Sequence, residues 1–198
     1  MLASGIVKPE DVGQFAQTIK EESARLISLI EDIIQLSRLD ENYVKQEKED
    51  VDLYLIAKDV IDRLKPKAKE KEIDILLEGS GVNIKGVDYI LDEVVYNLCE
   101  NAIKYNKEKG RVTVSVSKEM GNCILRVTDT GIGIPKEDLD RVFERFYRVD
   151  KSHSNQVPGT GLGLSIVKHG VAFHRGNIVV ESSEGVGTTI TVKFGLEN

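Results

Sequence analysis

The chain has 198 residues, 40% hydrophobic and 30% charged, with a net charge of −6, the balance of an ordinary globular protein and not of a disordered one. The acidic balance argues against a nucleic-acid partner, because phosphate backbones select a basic face. No apolar run approaches the ~20 residues that would span a bilayer, and no signal peptide is expected at the N-terminus.

Taken in chain order, residues 1–9 carry Gly, Ser and Pro without periodicity and read as a frayed leader. From Pro9 to about Asp40 the pattern is helical: Phe15, Ile19, Leu26, Ile30 and Ile33 recur at steps of three, four or seven, and Leu29, Leu36 and Leu39 widen the stripe. Such a helix is not stable alone in water and calls for a partner helix. Residues 41–50 are polar and mark a boundary. A second helix is predicted over Leu53–Lys71, with Leu55, Ile56, Val60, Ile61 and Leu64 on one side and a kink or fresh start at Pro66. Short strands follow at Ile73–Leu77 and Val82–Lys85, and a helix at Asp88–Lys104. Arg111–Ser117 and Cys123–Asp129 alternate as strands, Gly161–Phe173 reads as a helix, and Asn177–Ser182 and Thr188–Phe194 as a hairpin. This order predicts an α/β class: a two-layer sandwich on a largely antiparallel sheet, with an N-terminal helical appendage. Cys99 and Cys123 have no CxxC partner and no histidine at metal-ligand spacing, so they read as reduced, buried thiols of a cytosolic protein.

Three segments could carry chemistry. On the helix ending at Tyr105, Glu93, Asn97, Glu100, Asn101 and Lys104 share one face by their spacing of three or four. Carboxamide oxygens suit Mg²⁺ and the lysine suits a phosphate, although a solvated amphipathic face would look similar. Asp129-Thr-Gly-Ile-Gly-Ile-Pro135 follows a strand, so its carboxylate could accept from an exocyclic amine while Gly131 and Gly133 allow close backbone approach; a plain tight turn would also fit. Gly159-Thr-Gly-Leu-Gly163 opens a helix whose free N–H groups favour phosphate oxygens. It lacks the Gly-Lys-Ser/Thr ending of a P-loop, and no acidic residue at a following strand end makes it a dinucleotide fingerprint.

The order of these segments resembles the catalytic domain of two-component sensor histidine kinases. Asn97-Leu-Cys-Glu-Asn-Ala-Ile-Lys-Tyr105 is similar to the family's N box, Asp129–Pro135 to the G1 box, Phe143-Glu-Arg-Phe146 to the F box, Gly159–Gly163 to the G2 box, and Gly187-Thr-Thr189 to the threonine turn that closes the pocket. The resemblance covers about residues 50–195, and residues 10–40 look like the second helix of the family's dimerisation hairpin. It implies a Bergerat ATP-binding fold of histidine-kinase type, with residues 1–45 belonging to the hairpin and 46–198 to the catalytic domain.

Carried over residue by residue, the resemblance implies ATP and Mg²⁺ as cofactors. Asn97 and Asn101 would hold the metal, with Lys104 and Tyr105 near the phosphates and ribose. Asp129 would bind the adenine amine, in a pocket shaped by Gly131, Gly133 and Ile134. Gly159, Thr160, Gly161, Leu162, Gly163 and Leu164 would meet the triphosphate, and Thr188 would close the pocket. Residues 136–158 would be the ATP lid, placing Tyr147 and Arg148 near the nucleotide, with Arg145 and Arg148 as candidates for charge stabilisation. Phe143, Phe146 and Tyr147 would be core aromatics or would anchor the lid. Glu93, Asn97 and Lys104 would form the catalytic set.

The family transfers phosphate to a histidine that lies on the preceding helix and is followed by an acidic residue. His153, His169 and His174 have no such context. The expectation is therefore a donor domain that begins midway through the hairpin, binds ATP–Mg²⁺ and does not autophosphorylate in this form. The implied partners are the dimerisation hairpin, a second copy in the full-length homodimer, and a response regulator receiver domain, all on the cytoplasmic side. A Bergerat ATPase of the gyrase, chaperone or mismatch-repair kind remains the alternative, with Glu93 as general base; a serine kinase or a non-enzymatic nucleotide module is a third. Two departures from the family pattern stand out: Gly170 interrupts the last helix, and Arg175 stands where a glycine is common.

Overall fold

The computed structural model describes residues 11–41, 47–149 and 159–196. The expected leader at 1–9, the helix start at Pro9 and His153 lie outside the described residues. The first helix, α1, spans Val12–Glu41. Phe15, Ile19, Leu26, Ile30 and Ile33 are exposed along it, whereas Leu29 packs onto a small cluster of Val87, Ile90, Leu162, Ile166 and Phe173.

A strand absent from the sequence reading follows. β1 (Glu49–Asp52) lies in the polar stretch taken as a boundary and pairs antiparallel with β3 (Asn83–Gly86), setting Val51 opposite Ile84. With one apolar residue in four, it offers no alternation to detect. Asp52 then caps α2 (Leu53–Glu70), its Oδ1 accepting the N–H of Tyr54 at 2.9 Å and of Leu55 at 3.4 Å. Helix α2 runs through Pro66 without the expected restart. Pro66 sits on the solvent side, where water can serve the carbonyl that its missing N–H leaves free. Leu55, expected on the buried side, is 59% exposed; the buried row is Leu53, Ile56, Ala57, Val60, Ile61, Leu64 and Ala68.

β2 (Asp74–Gly79) runs parallel to β4 (Arg111–Glu119); β5 (Asn122–Asp129), β7 (Gly187–Gly195) and β6 (Asn177–Ser183) continue the sheet antiparallel, in the order β2-β4-β5-β7-β6. Val112, Val114, Val116, Leu125, Val127, Ile190, Val192 and Phe194 are buried on one face under α2, α3 (Asp88–Lys104) and α4 (Gly163–Phe173). On the other face Thr113, Ser115, Ser117, Arg126, Thr128 and Thr189 are only partly covered. This is the expected two-layer α/β sandwich, with a mixed sheet.

Both departures have a structural setting. A Cβ on Gly170 would meet Val94 Cγ2 at 2.6 Å and Ile90 Cγ2 at 3.2 Å, so glycine lets α4 cross α3 closely. Arg175 sits at φ +54° just past the end of α4, where the N–H of Gly176 bonds Val171 O at 2.9 Å and that of Arg175 bonds Ala172 O at 2.9 Å. That is a Schellman termination, whose left-handed position favours glycine. The buried His174 braces the same end of α4. Its Nε2 accepts the N–H of Val87 at 3.0 Å and its Nδ1 donates to Gly170 O at 2.7 Å, the pattern of a neutral ring. Burial lowers its pKa to about 4. Cys99 and Cys123 are free and buried, and burial pushes both thiols up to about 12, which makes them inert.

Candidate functional site

Helix α3 buries Leu91, Val94, Val95, Leu98 and Cys99 in the main core and Ile90 in the small cluster with α4, which turns Glu93, Asn97, Asn101 and Lys104 to a partly open side. Asn97 Nδ2 donates to Glu93 O at 2.9 Å and to Glu93 Oε2 at 3.4 Å. Its Oδ1 therefore points the other way, toward α4, where a Cβ on Gly163 would come within 2.8 Å of it and 3.6 Å of Asn101 Nδ2. Glu100 leaves this face: it pairs with Lys67 at 2.6 Å, over α2. Lys71 holds the end of α3 in place, its Nζ donating to the carbonyls of Ile103 at 3.3 Å and Lys104 at 2.6 Å.

The second corner is built on Asp129. Its Oδ1 accepts two backbone N–H groups, from Gly131 at 2.8 Å and from Thr188 at 3.3 Å, and Oδ2 accepts from no group among the described residues. Burial raises the Asp129 pKa, and the two N–H groups pull it back down. Gly131 has no room for a side chain, because a Cβ would collide with Tyr105 O and lie 2.8 Å from Asp129 Oδ1. Gly133, at φ +71°, is pressed against Ser183 O. The next N–H, of Ile134, is taken by Ser182 Oγ at 2.8 Å.

The third corner is the glycine loop and the start of α4. Among the described residues no side chain caps α4, so its first N–H groups suit an anion. Leu162, by contrast, is fully buried, and its N–H is bonded to Thr160 Oγ1 at 3.2 Å. Leu164 packs against the main core. Lys104 Nζ stands over the Tyr105 ring, 5.2 Å from its centroid, and occupies the space that a side chain on Gly159 would need. Arg148 donates to Gly159 O at 3.0 Å, so two cations meet at the head of the loop. Burial raises the Tyr105 pKa, which keeps the phenol protonated at neutral pH.

The near end of the expected lid lies along this loop. The N–H of Phe146, at φ +64°, bonds Gly161 O at 3.0 Å. Its ring is 58% exposed, so the option of a core aromatic fails for Phe146. Tyr147 donates its hydroxyl to Asp138 and carries Arg141 above its ring at 4.1 Å. Arg145 meets His169 Nε2 at 3.1 Å, and His169 Nδ1 meets Ser165 O at 2.7 Å, tying the lid to α4.

The structure thus brings Asn97, Asn101, Lys104, Arg148, Gly159 and Gly163 to one corner, and Asp129, Gly131, Gly133, Ile134 and Thr188 to another. Sequence reasoning missed Lys71, Ser182 and Asn106. Asn106 Oδ1 accepts from Thr130 Oγ1 at 3.2 Å while its Nδ2 donates to Arg111 O at 3.0 Å, anchoring the segment after α3 to β4. Lys71 and Ser182 close a predicted helix and a predicted strand and Asn106 follows a helix, and nothing local marks their distant partners. Among the described residues no group of three His, Cys, Asp or Glu could hold a metal, and no helix is long and apolar enough to cross a membrane.

Residues 86–198 match the family model described as histidine kinase-, DNA gyrase B-, and HSP90-like ATPase. The chain is 40% identical over 187 residues to the sensor-like histidine kinase SenX3 of Mycolicibacterium smegmatis, covering 94% of this chain and 49% of that protein. It is 37% identical over 195 residues to the sensor histidine kinase WalK of Bacillus subtilis, covering 96% of this chain and 32% of that protein. It thus spans about half or less of these relatives. Among solved structures, the mycobacterial sensor histidine kinase MprB superposes with a TM-score of 0.67 at 31% identity, covering 74% of this chain and 97% of that one.

Proposed function

Since the chain belongs to the histidine kinase-, DNA gyrase B- and HSP90-like ATPases, and within them to the sensor histidine kinases, we propose that it is the catalytic domain that donates the γ-phosphate of ATP to a histidine on a dimerisation helix. From there the phosphate passes to a response regulator receiver domain. The observation that carries this reading is the convergence of two carboxamides and two cations on an uncapped helix N-terminus, with a half-engaged carboxylate at a second corner.

Phosphoryl transfer through a loose transition state asks the protein mainly for positioning and charge neutralisation. Asp129 Oδ2 takes the adenine amine, while Gly131 and Gly133 let the loop beside it pack against Tyr105 O and Ser183 O. Lys104 and Arg148 balance charge on the phosphates, and the first N–H groups of α4 hold their oxygens. The donor set fits Mg²⁺: Asn97 Oδ1 is turned toward the glycine loop by the bonds that its amide nitrogen makes to Glu93, with Asn101 beside it. Asn97 and Asn101 would hold the ion there, and its charge would help neutralise the phosphates.

In this reading residues 1–45 are the second helix of the dimerisation hairpin and 46–198 the catalytic domain of a cytoplasmic, homodimeric kinase portion. The exposed apolar residues of α1 support it, since they form a seam suited to a partner helix. The test mixes the chain, ATP and Mg²⁺ with a dimerisation hairpin bearing an acceptor histidine. Phosphate on the hairpin is the expected result; bound ATP with no labelled hairpin would sink the kinase assignment.

A second reading, hydrolysis with Glu93 as general base, has one observation in its favour: Glu93 Oε2 is at the site, 3.4 Å from the Asn97 amide. Steady ATP hydrolysis that vanishes in Glu93→Ala would favour it. The bond to Asn97 instead makes Glu93 an orienting group for the carboxamide.

A further inference from the structure

Asp129 is held from two directions, by the N–H of Gly131 on its own loop and by the N–H of Thr188 at the start of β7. The Gly185 N–H bonds Ile132 O at 2.7 Å across the same gap, and one hydroxyl adds three further bonds there. Ser182 Oγ, near the end of β6, accepts the N–H of Ile134 at 2.8 Å, donates to Gly187 O at 2.8 Å, and lies 2.9 Å from Thr188 Oγ1. A carbonyl only accepts, so the Ser182 proton is committed to Gly187, and the bond between the two hydroxyls must use the proton of Thr188. All three hydrogen-bonding positions of Ser182 are then filled. Thr188 Oγ1 keeps only lone pairs to offer elsewhere. With Asp129 Oδ2, this corner presents acceptors and no hydroxyl donor.

Resting on the adenine reading above, we infer that Ser182 is a positioning residue for nucleotide selection: it fixes Asp129 and Thr188 as an acceptor corner that takes an exocyclic amine and refuses a carbonyl in its place. Ser182 touches no ligand in this account. It acts by locking the loop after β5 to the β6–β7 turn, and by setting which way the Thr188 proton points.

The test measures binding of ATP and of purine riboside triphosphate, which lacks the 6-amino group, to the whole chain with Mg²⁺ by calorimetry. Wild type prefers ATP. Ser182→Ala is expected to lose about tenfold in ATP affinity, with less than about a twofold change for the analogue. Ser182→Thr, which keeps the hydroxyl, restores the preference. Equal weakening for both nucleotides makes Ser182 a merely structural bond and overturns the inference, as does an unchanged preference in Ser182→Ala. A wild-type chain that binds both nucleotides equally overturns the adenine reading and the inference with it. Should Ser182→Ala not fold, Thr188→Val removes the hydroxyl but keeps the N–H to Asp129; a preference unaltered there also refutes the inference.

Discussion

Replacing Asp129 by Asn exchanges one acceptor for a donor and leaves the loop intact. Oδ1 is the oxygen that holds the backbone, through Gly131 at 2.8 Å and Thr188 at 3.3 Å. An asparagine oxygen can keep both bonds. The change falls on the other atom, where an acceptor becomes an NH₂ facing the 6-amino group of adenine. A hydrogen bond to a charged group contributes about 1.5–3 kcal/mol, and leaving a buried donor unpaired costs about 1–3 kcal/mol more. The sum, roughly 3 kcal/mol or above, corresponds to a loss on the order of 100-fold in ATP affinity. Stability should not fall with it, because burial already disfavours the Asp129 charge, as its raised pKa shows. Inosine triphosphate, with a carbonyl in place of the amine, should bind Asp129→Asn better than it binds wild type. Calorimetry with both nucleotides and urea unfolding of both proteins measure all three quantities. If Asp129→Asn binds ATP within about threefold of wild type, or gains nothing for inosine triphosphate, Oδ2 is not the adenine ligand and the reasoning fails.

Protonation of His174 provides a pH test. Its folded pKa, about 4, lies below the ordinary 6.5, so the unfolded chain binds the extra proton first; stability is complete above pH 6.5 and drops by about 3 kcal/mol as the pH falls toward 4. An NMR titration showing the His174 ring protonated near its ordinary value would contradict this. Arg175→Gly should stabilise the chain by about 1 kcal/mol in urea unfolding by relieving the left-handed position after α4; a loss would mean that the arginine side chain outweighs its strained backbone. Gly163→Ala places a methyl 2.8 Å from Asn97 Oδ1, so the carboxamide must move. The expected result is unchanged thermal stability with about a tenfold loss of ATP affinity in Mg²⁺ and a smaller loss in its absence. Equal losses in the two conditions would detach Asn97 from the metal.

Much of the fold and of the site was legible because its signals are local. The 3.6-residue period of α3 set Asn97, Asn101 and Lys104 on one face before any packing was known, and strand alternation marked β4 and β5 nearly to their ends. The glycines after Asp129 announced a close approach of backbone, and at Gly131 and Gly133 the close neighbours are Tyr105 O and Ser183 O of the chain itself. Where periodicity was missing, reading failed: β1, with Val51 as its only apolar residue, looked like a linker. Period alone also misjudged Leu55 and Glu100, whose surroundings depend on how α2 and α3 lie against each other.

The sequence by itself determined the chemistry on offer: carboxamides and a lysine on one helix face, a carboxylate before two glycines, and a glycine-rich helix start. Tertiary structure decided how those groups are oriented. One oxygen of Asp129 is spent on an N–H from β7, and Ser182 joins the loop after β5 to the β6–β7 turn. The loop at Gly159 is bonded by Arg148 and has Lys104 Nζ set against it. Such bonds join segments far apart in the chain, and their partners are set by sheet register and by the packing of α3 on α4. Local pattern carries residue type and facing, but an interaction between distant segments exists only once the core has brought them within hydrogen-bond reach.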